Sequence, residues 1–235
     1  MVEAQQVMPV FVSGIVKHTS DEGLNLPDDV IGDIKARMSE RKALTARIPK
    51  TARLSSTFLN RRLRNLMYNE LHSIDTSVEA LDMLKLIVAN SEVMLTRGMN
   101  LGGIITMGEY LRTRGDKVDF VKLDGWLTAL QLHGMAELQG NVLISVFGFE
   151  QDELPFVART DQKAYRLTLR SVSDLAKDTA QEWHFRQNSA GFVQNNNAVL
   201  RRNLSRSLRY MGYAPVETTS NFFHNFVRSL SEIEE

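Results

Sequence analysis

The chain has 235 residues, 43% hydrophobic, 8% aromatic and 24% charged, with 28 Lys or Arg balanced by 28 Asp or Glu. Such values exclude wholesale disorder and allow a substantial buried core. With no cysteine there is no disulfide framework, thiolate metal site or cysteine nucleophile, which fits a reducing compartment.

The first residues, MVEAQQVMPVFVSGIVKH, include Glu3 and lack a basic stretch ahead of their short apolar run, unlike a secretory signal. The longest apolar run, near 142–149, falls far below the roughly 18 residues that span a bilayer. A soluble, cytoplasmic protein without a transmembrane segment is expected. Peripheral membrane contact through a basic amphipathic helix is an alternative mode of attachment.

In chain order, residues 8–17 are β-rich and precede the turn-like HTSDEG, which predicts a first strand. Pro27 opens a helix with Asp28 and Asp29 at its positive end and Val30, Ile31, Ile34 and Met38 on one face. Residues 41–54, broken by Pro49, show no period and read as a basic arm. Ser55, Ser56 or Thr57 can cap the next helix, whose Phe58, Leu59, Leu63, Leu66, Met67 and Leu71 form a stripe with Arg61, Arg62 and Arg64 off it.

Thr76 and Glu79 have capping-box spacing and open a central core helix through Val78, Leu81, Leu84, Ile87, Val88 and Met94, stopped by Gly98. Thr106 and Glu109 repeat that spacing before Gly115 ends a short helix. Another helix begins near Asp116, turns Phe120, Leu123, Leu127 and Leu130 inward, and takes Gly134 as its C′ residue.

The pattern then changes. Residues 142–149 form a β-branched and aromatic run, and residues 163–170, KAYRLTLR, alternate as a half-buried strand does. Ser171 and Asp174 cap a helix reaching about Arg186, and an amide-rich loop precedes a helix over 198–211. A last helix over 220–230 presents Phe222, Phe223, Phe226 and Leu230. The fold expected is α+β, predominantly α-helical, with a small antiparallel β-sheet of strands near 8–17, 142–149 and 163–170. A single domain over 1–235 is expected, with a weak subdivision into a mainly helical 1–134 and a β-hairpin plus C-terminal helices over 135–235.

No P-loop, GxGxxG, GxSxG or HExxH is present. His18, His72, His133, His184 and His224 are scattered singly. Glu150, Asp152, Glu153 and Asp161 suit a solvated turn better than a hard cation, and Asp116, Asp119 and Asp124 suit helix starts. No catalytic residue, metal or cofactor is therefore assigned, and a non-enzymatic protein is expected.

Charge placement is the positive signal. Residues 41–69 carry eight basic side chains and residues 183–216 carry five, with no acidic residue in either segment. Fifteen basic residues against 28 acidic ones remain elsewhere. Arginine-rich helix faces pair with phosphate oxygens and release condensed counterions. Arg47, Lys50, Arg53, Arg61, Arg62, Arg64, Arg201, Arg202, Arg206 and Arg209 are the candidate nucleic-acid contacts. Phe185, Phe192, Tyr210 and Tyr213 are candidates to stack on unpaired bases.

The leading expectation is a self-associating, nucleocapsid- or coat-type protein that binds RNA or single-stranded nucleic acid as a homo-oligomer. A matrix-type or adaptor protein on anionic lipid or an acidic partner is one alternative. An enzyme whose site gathers His72, His133 or His184 with distant carboxylates is another, and a merely solvated basic surface is the bland reading of the same charges.

Overall fold

In a computed structural model, the structure describes residues 48–99, 101–161, 163–168 and 208–231. Six α-helices lie wholly within these residues: α1 (Thr57–Leu71), α2 (Val78–Arg97), α3 (Leu101–Arg114), α4 (Phe120–Ala129), α5 (His133–Phe147) and α6 (Pro215–Ser231). Short 3₁₀ turns cover Gly115–Lys117 and Gln151–Glu153. Among the described residues there is no strand, so the expected antiparallel sheet is replaced by helices. The strand expected at 8–17 and the helix after Pro27 lie outside the described residues, as do the elements expected over 171–207.

Helix α2 is the hub, because it meets each of the other five helices. Its Leu81, Leu84, Ile87, Val88 and Met94 are buried, as the period predicts, and it ends at Gly98 in a positive-φ conformation. Val78 is the exception and is half exposed. The start of α2 is not the expected capping box. Thr76 instead donates to the carbonyls of Glu70 and Ser73, and the Ser77 amide donates to Glu70 Oε1 at 2.8 Å. Thr106 lies inside α3, where its hydroxyl donates to the Gly102 carbonyl.

Of the run read as a strand at 142–149, residues 142–147 are the end of α5, Gly148 caps it in the left-handed region and Phe149 follows. Met135, Leu138, Val142 and Val146 are buried, and so are Ala136, Gln139, Gly140, Leu143 and Phe147. A helix covered on nearly every side loses its amphipathic period, and its apolar run then resembles a buried strand. Residues 163–168 are also helical: Ala164, Tyr165 and Thr168 are buried, and Thr168 donates to the Ala164 carbonyl four residues back. Residues 169–170 of that expected strand lie outside the described residues.

Helix α4 closes one turn earlier than its composition suggests. Leu132 N–H donates to Leu127 O at 2.9 Å and Gln131 N–H to Thr128 O at 3.1 Å, a Schellman closure with Gln131 at φ 55°. Gly134, expected as C′ of that helix, instead sits in the first turn of α5. A Cβ there would stand 2.6 Å from the backbone oxygen of Tyr213, so the glycine admits the segment leading into α6.

Tyr110 of α3 is buried against the start of α2, and its hydroxyl donates to the Glu79 carbonyl at 3.2 Å. Burial, with added repulsion from Asp82 and Glu79, pushes its pKa up to about 12 from 10.0. The folded state thus favours the neutral phenol. Its contribution is fully present below pH 10 and is lost as pH rises through about 12. Denaturant titrations should show the wild type losing about 2 kcal/mol across that window, and Tyr110→Phe following a flatter curve. Parallel curves for the two proteins would remove this residue from the alkaline transition.

Candidate nucleic-acid interface

Helix α1 begins where the chain enters the core. Ala52 and Leu54 are buried and Ile48 packs beside them, so this end of the expected arm is anchored, with Lys50 and Arg53 exposed. Ser56 is the N-cap, its hydroxyl accepting from Leu59 N–H at 3.4 Å. The first turn of α1 holds no acidic residue to meet the positive end of the helix dipole. A carboxylate arrives from α6 instead. Glu217, 1% exposed, accepts the Ser55 N–H on one oxygen and the Ser56 N–H on the other, the latter at 3.0 Å. Asn221, one turn on, donates to the Leu95 carbonyl at the end of α2.

With Leu59 and Leu63 buried, α1 turns its opposite side outward. Arg61, Asn65, Tyr68 and His72 follow one another at helical spacing along that side, and all four are exposed. Tyr68 and His72 lie with ring centroids 4.2 Å apart, and Phe58 is exposed on the same helix. Arg61 and Arg64 make no ion pair among the described residues. Phe58 and Leu71, expected in the apolar stripe, lie at its edges and are largely exposed.

Arg62 has a different environment from its neighbours. Its guanidinium donates to the Ala129 carbonyl at 2.6 Å and covers the Phe58 ring at 4.8 Å. A cation there satisfies a terminal carbonyl at the negative end of α4. At the other end of the α1–α4 contact, Lys122 Nζ reaches Glu70 Oε1 at 3.0 Å and Asp75 Oδ2 at 3.3 Å. These carboxylates, Glu70 first, hold the Lys122 pKa above its ordinary value. The two helices run antiparallel between these clamps. Arg62, Asn65, Leu66, Asn69, Glu70 and Ser73 line an open groove of about 450 Å³ there with Trp126 of α4.

The second basic segment falls mostly beyond reach. Arg47, Arg201, Arg202 and Arg206 lie outside the described residues, as do Phe185 and Phe192. Arg209 is half-buried, Tyr210 is fully buried and Tyr213 is half-buried. Tyr210 thus belongs to the core and is closed to a base. The sequence, read for its arginines, did not single out Asn65, Tyr68, Asn69, Trp126 or Glu217, and it offered His72 only to an enzyme site. The spacing of residues 61, 65, 68 and 72 was the signal available for the outer stripe.

Several of the candidate acidic and histidine side chains have structural partners among the described residues. Glu150 and Glu153 form a reciprocal capping box on the 3₁₀ turn, Asp161 accepts the Lys163 amide, and Asp119 caps α4 by accepting from Lys122 N–H. His133 lies 2.9 Å from Asp124 and 3.8 Å from Glu137, while His72 bonds the Tyr68 carbonyl. Among the described residues no group of three or more His, Asp or Glu side chains is placed to hold a metal, and no helix is long and apolar enough to cross a membrane.

No protein-family model matches the sequence, and comparison with curated proteins and with solved structures finds no significant match.

Proposed function

We propose that this protein binds single-stranded nucleic acid, RNA foremost, without enzymatic chemistry, using the outward side of α1. The observation that carries the proposal is the composition of that side: Arg61 and Arg64 stand exposed beside Phe58, Tyr68 and His72, with Asn65 and Asn69 between them. Exposed cations that need not first leave a carboxylate contact phosphate at little cost. Aromatic faces beside them suit unpaired bases, which expose a π-surface that a duplex hides. Lys50 and Arg53, exposed just before α1, extend the positive surface along the chain. Arg62 supports this surface as a clamp on α4.

Self-association belongs to the same proposal and draws on α6. Its first half is held by Glu217, Thr218 and Asn221, all buried, while Phe223 is 58% exposed beside Phe222 and Phe226. Such an aromatic edge suits a homo-oligomer contact.

Fluorescence anisotropy with a labelled oligouridylate across a salt series tests the binding. Log affinity should fall linearly with log salt, by about 0.7 for each phosphate neutralised. Arg61→Ala/Arg64→Ala should lower that slope by about 1.4 and weaken binding at least tenfold at low salt. Absence of binding at low salt, or an affinity indifferent to salt, would refute the proposal. Binding only to anionic vesicles would favour a membrane-surface protein instead.

A further inference from the structure

The groove between α1 and α4 has features that phosphate binding does not require. Two polar clamps fix its ends: Arg62 on the Ala129 carbonyl, and Lys122 on Glu70 and Asp75. Between them a half-buried indole, Trp126, and a half-buried Leu66 provide apolar surface, with Asn65 and Asn69 exposed one helical turn apart on the rim. Each carboxamide offers both donors and an acceptor, as the edge of a nucleobase does. The opening lies beside Arg61, exposed one turn before Asn65.

Resting on the nucleic-acid reading above, we infer that this groove is a nucleobase subsite: one unpaired base of the bound strand stacks against Trp126 and bonds Asn65 and Asn69 through its edge. The occupant is chosen by charge and shape together. Arg61 favours a polyanion next to the groove, and a flat heterocycle carried by that polyanion matches an indole flanked by amides. An aliphatic side chain would leave both carboxamides unanswered at the rim. Glu70 Oε1 is engaged by Lys122 and the Ser77 amide at the far end, and the two exposed asparagines are the carboxamides on the rim.

The test uses the full chain carrying Trp183→Phe, so that Trp126 is the sole indole. An oligothymidylate and an abasic sugar-phosphate oligomer of equal length are titrated at the same low salt. The base-bearing strand should quench Trp126 fluorescence and bind about tenfold more tightly than the abasic one, which should bind without quenching. Asn65→Ala/Asn69→Ala, at two exposed positions that leave the fold intact, should erase most of that preference while keeping the salt slope. Equal affinities with no quenching would overturn the subsite and leave the phosphate-binding surface standing. Failure of both oligomers to bind would overturn both.

Discussion

Replacing Glu217 by Ala should lower the free energy of unfolding by about 3 kcal/mol, because it strands the buried Ser56 amide and takes the acceptor from the half-buried Ser55 amide. The carboxylate is 1% exposed and divides its oxygens between the Ser55 and Ser56 N–H groups. A hydrogen bond to a charged group contributes about 1.5–3 kcal/mol, and α1 has no acidic residue of its own in the first turn to take over. Glu217→Gln should cost less, about 2 kcal/mol. Its oxygen can still serve one amide, but its NH₂ then faces the other donor. Denaturant melts give the magnitude, and hydrogen exchange at residues 55–60 gives the location. A Glu217→Ala protein within about 0.5 kcal/mol of wild type would show that the contact is dispensable. Because α1 carries Arg61 and Arg64, fraying its start should also weaken oligonucleotide binding with no basic residue removed.

The same residue illustrates what a single sequence can and cannot disclose. Glu217 lies more than 160 residues from the amides that it caps, and a capping box is legible only when donor and acceptor are three apart. Local rules therefore saw an acid-free first turn at α1 and no remedy. Helix α2 was legible because one side of it faces α1, α3, α4, α5 and α6 while Glu79, Asp82 and Glu92 keep contact with solvent, which preserves the period. Helix α5 lacks that contrast: buried on most of its circumference, it presents a run of Val, Leu and Ile that pattern alone assigns to a strand.

Gly134 misled for a related reason. It was read as a helix-ending residue, yet it lies inside α5 at a close crossing, as Gly140 does. A Cβ on Gly140 would come within 2.3 Å of Val157 and within 3.1 Å of Phe156. The space that such a glycine makes belongs to another part of the chain, and no local period records it. The candidate interface was half legible on the same grounds. Charge marked Arg61 and Arg64 as outward-facing. The groove beside them depends on α4 being clamped antiparallel to α1, a tertiary fact with no local signature.

Gln139→Leu should destabilise the protein by about 2 kcal/mol even though it places an apolar side chain of similar size in an apolar core. Gln139 is 0% exposed at the contact of α5 with α2. Its amide nitrogen donates to Ile87 O at 3.2 Å and Ser91 Oγ at 3.1 Å, and its oxygen accepts from Asn90 Nδ2 at 3.1 Å. Leucine removes all three bonds at once and leaves buried donors and acceptors on α2 with fewer partners. The cost arises from that asymmetry. Removing both partners should hurt less than the sum of the parts: Asn90→Leu/Gln139→Leu should recover at least about 1 kcal/mol relative to additive behaviour. Denaturant melts of the two single variants and the double variant close the cycle. Additivity within about 0.3 kcal/mol would mean that the amides pack side by side without stabilising one another. A positive coupling makes them a feature that fixes how α5 lies on α2.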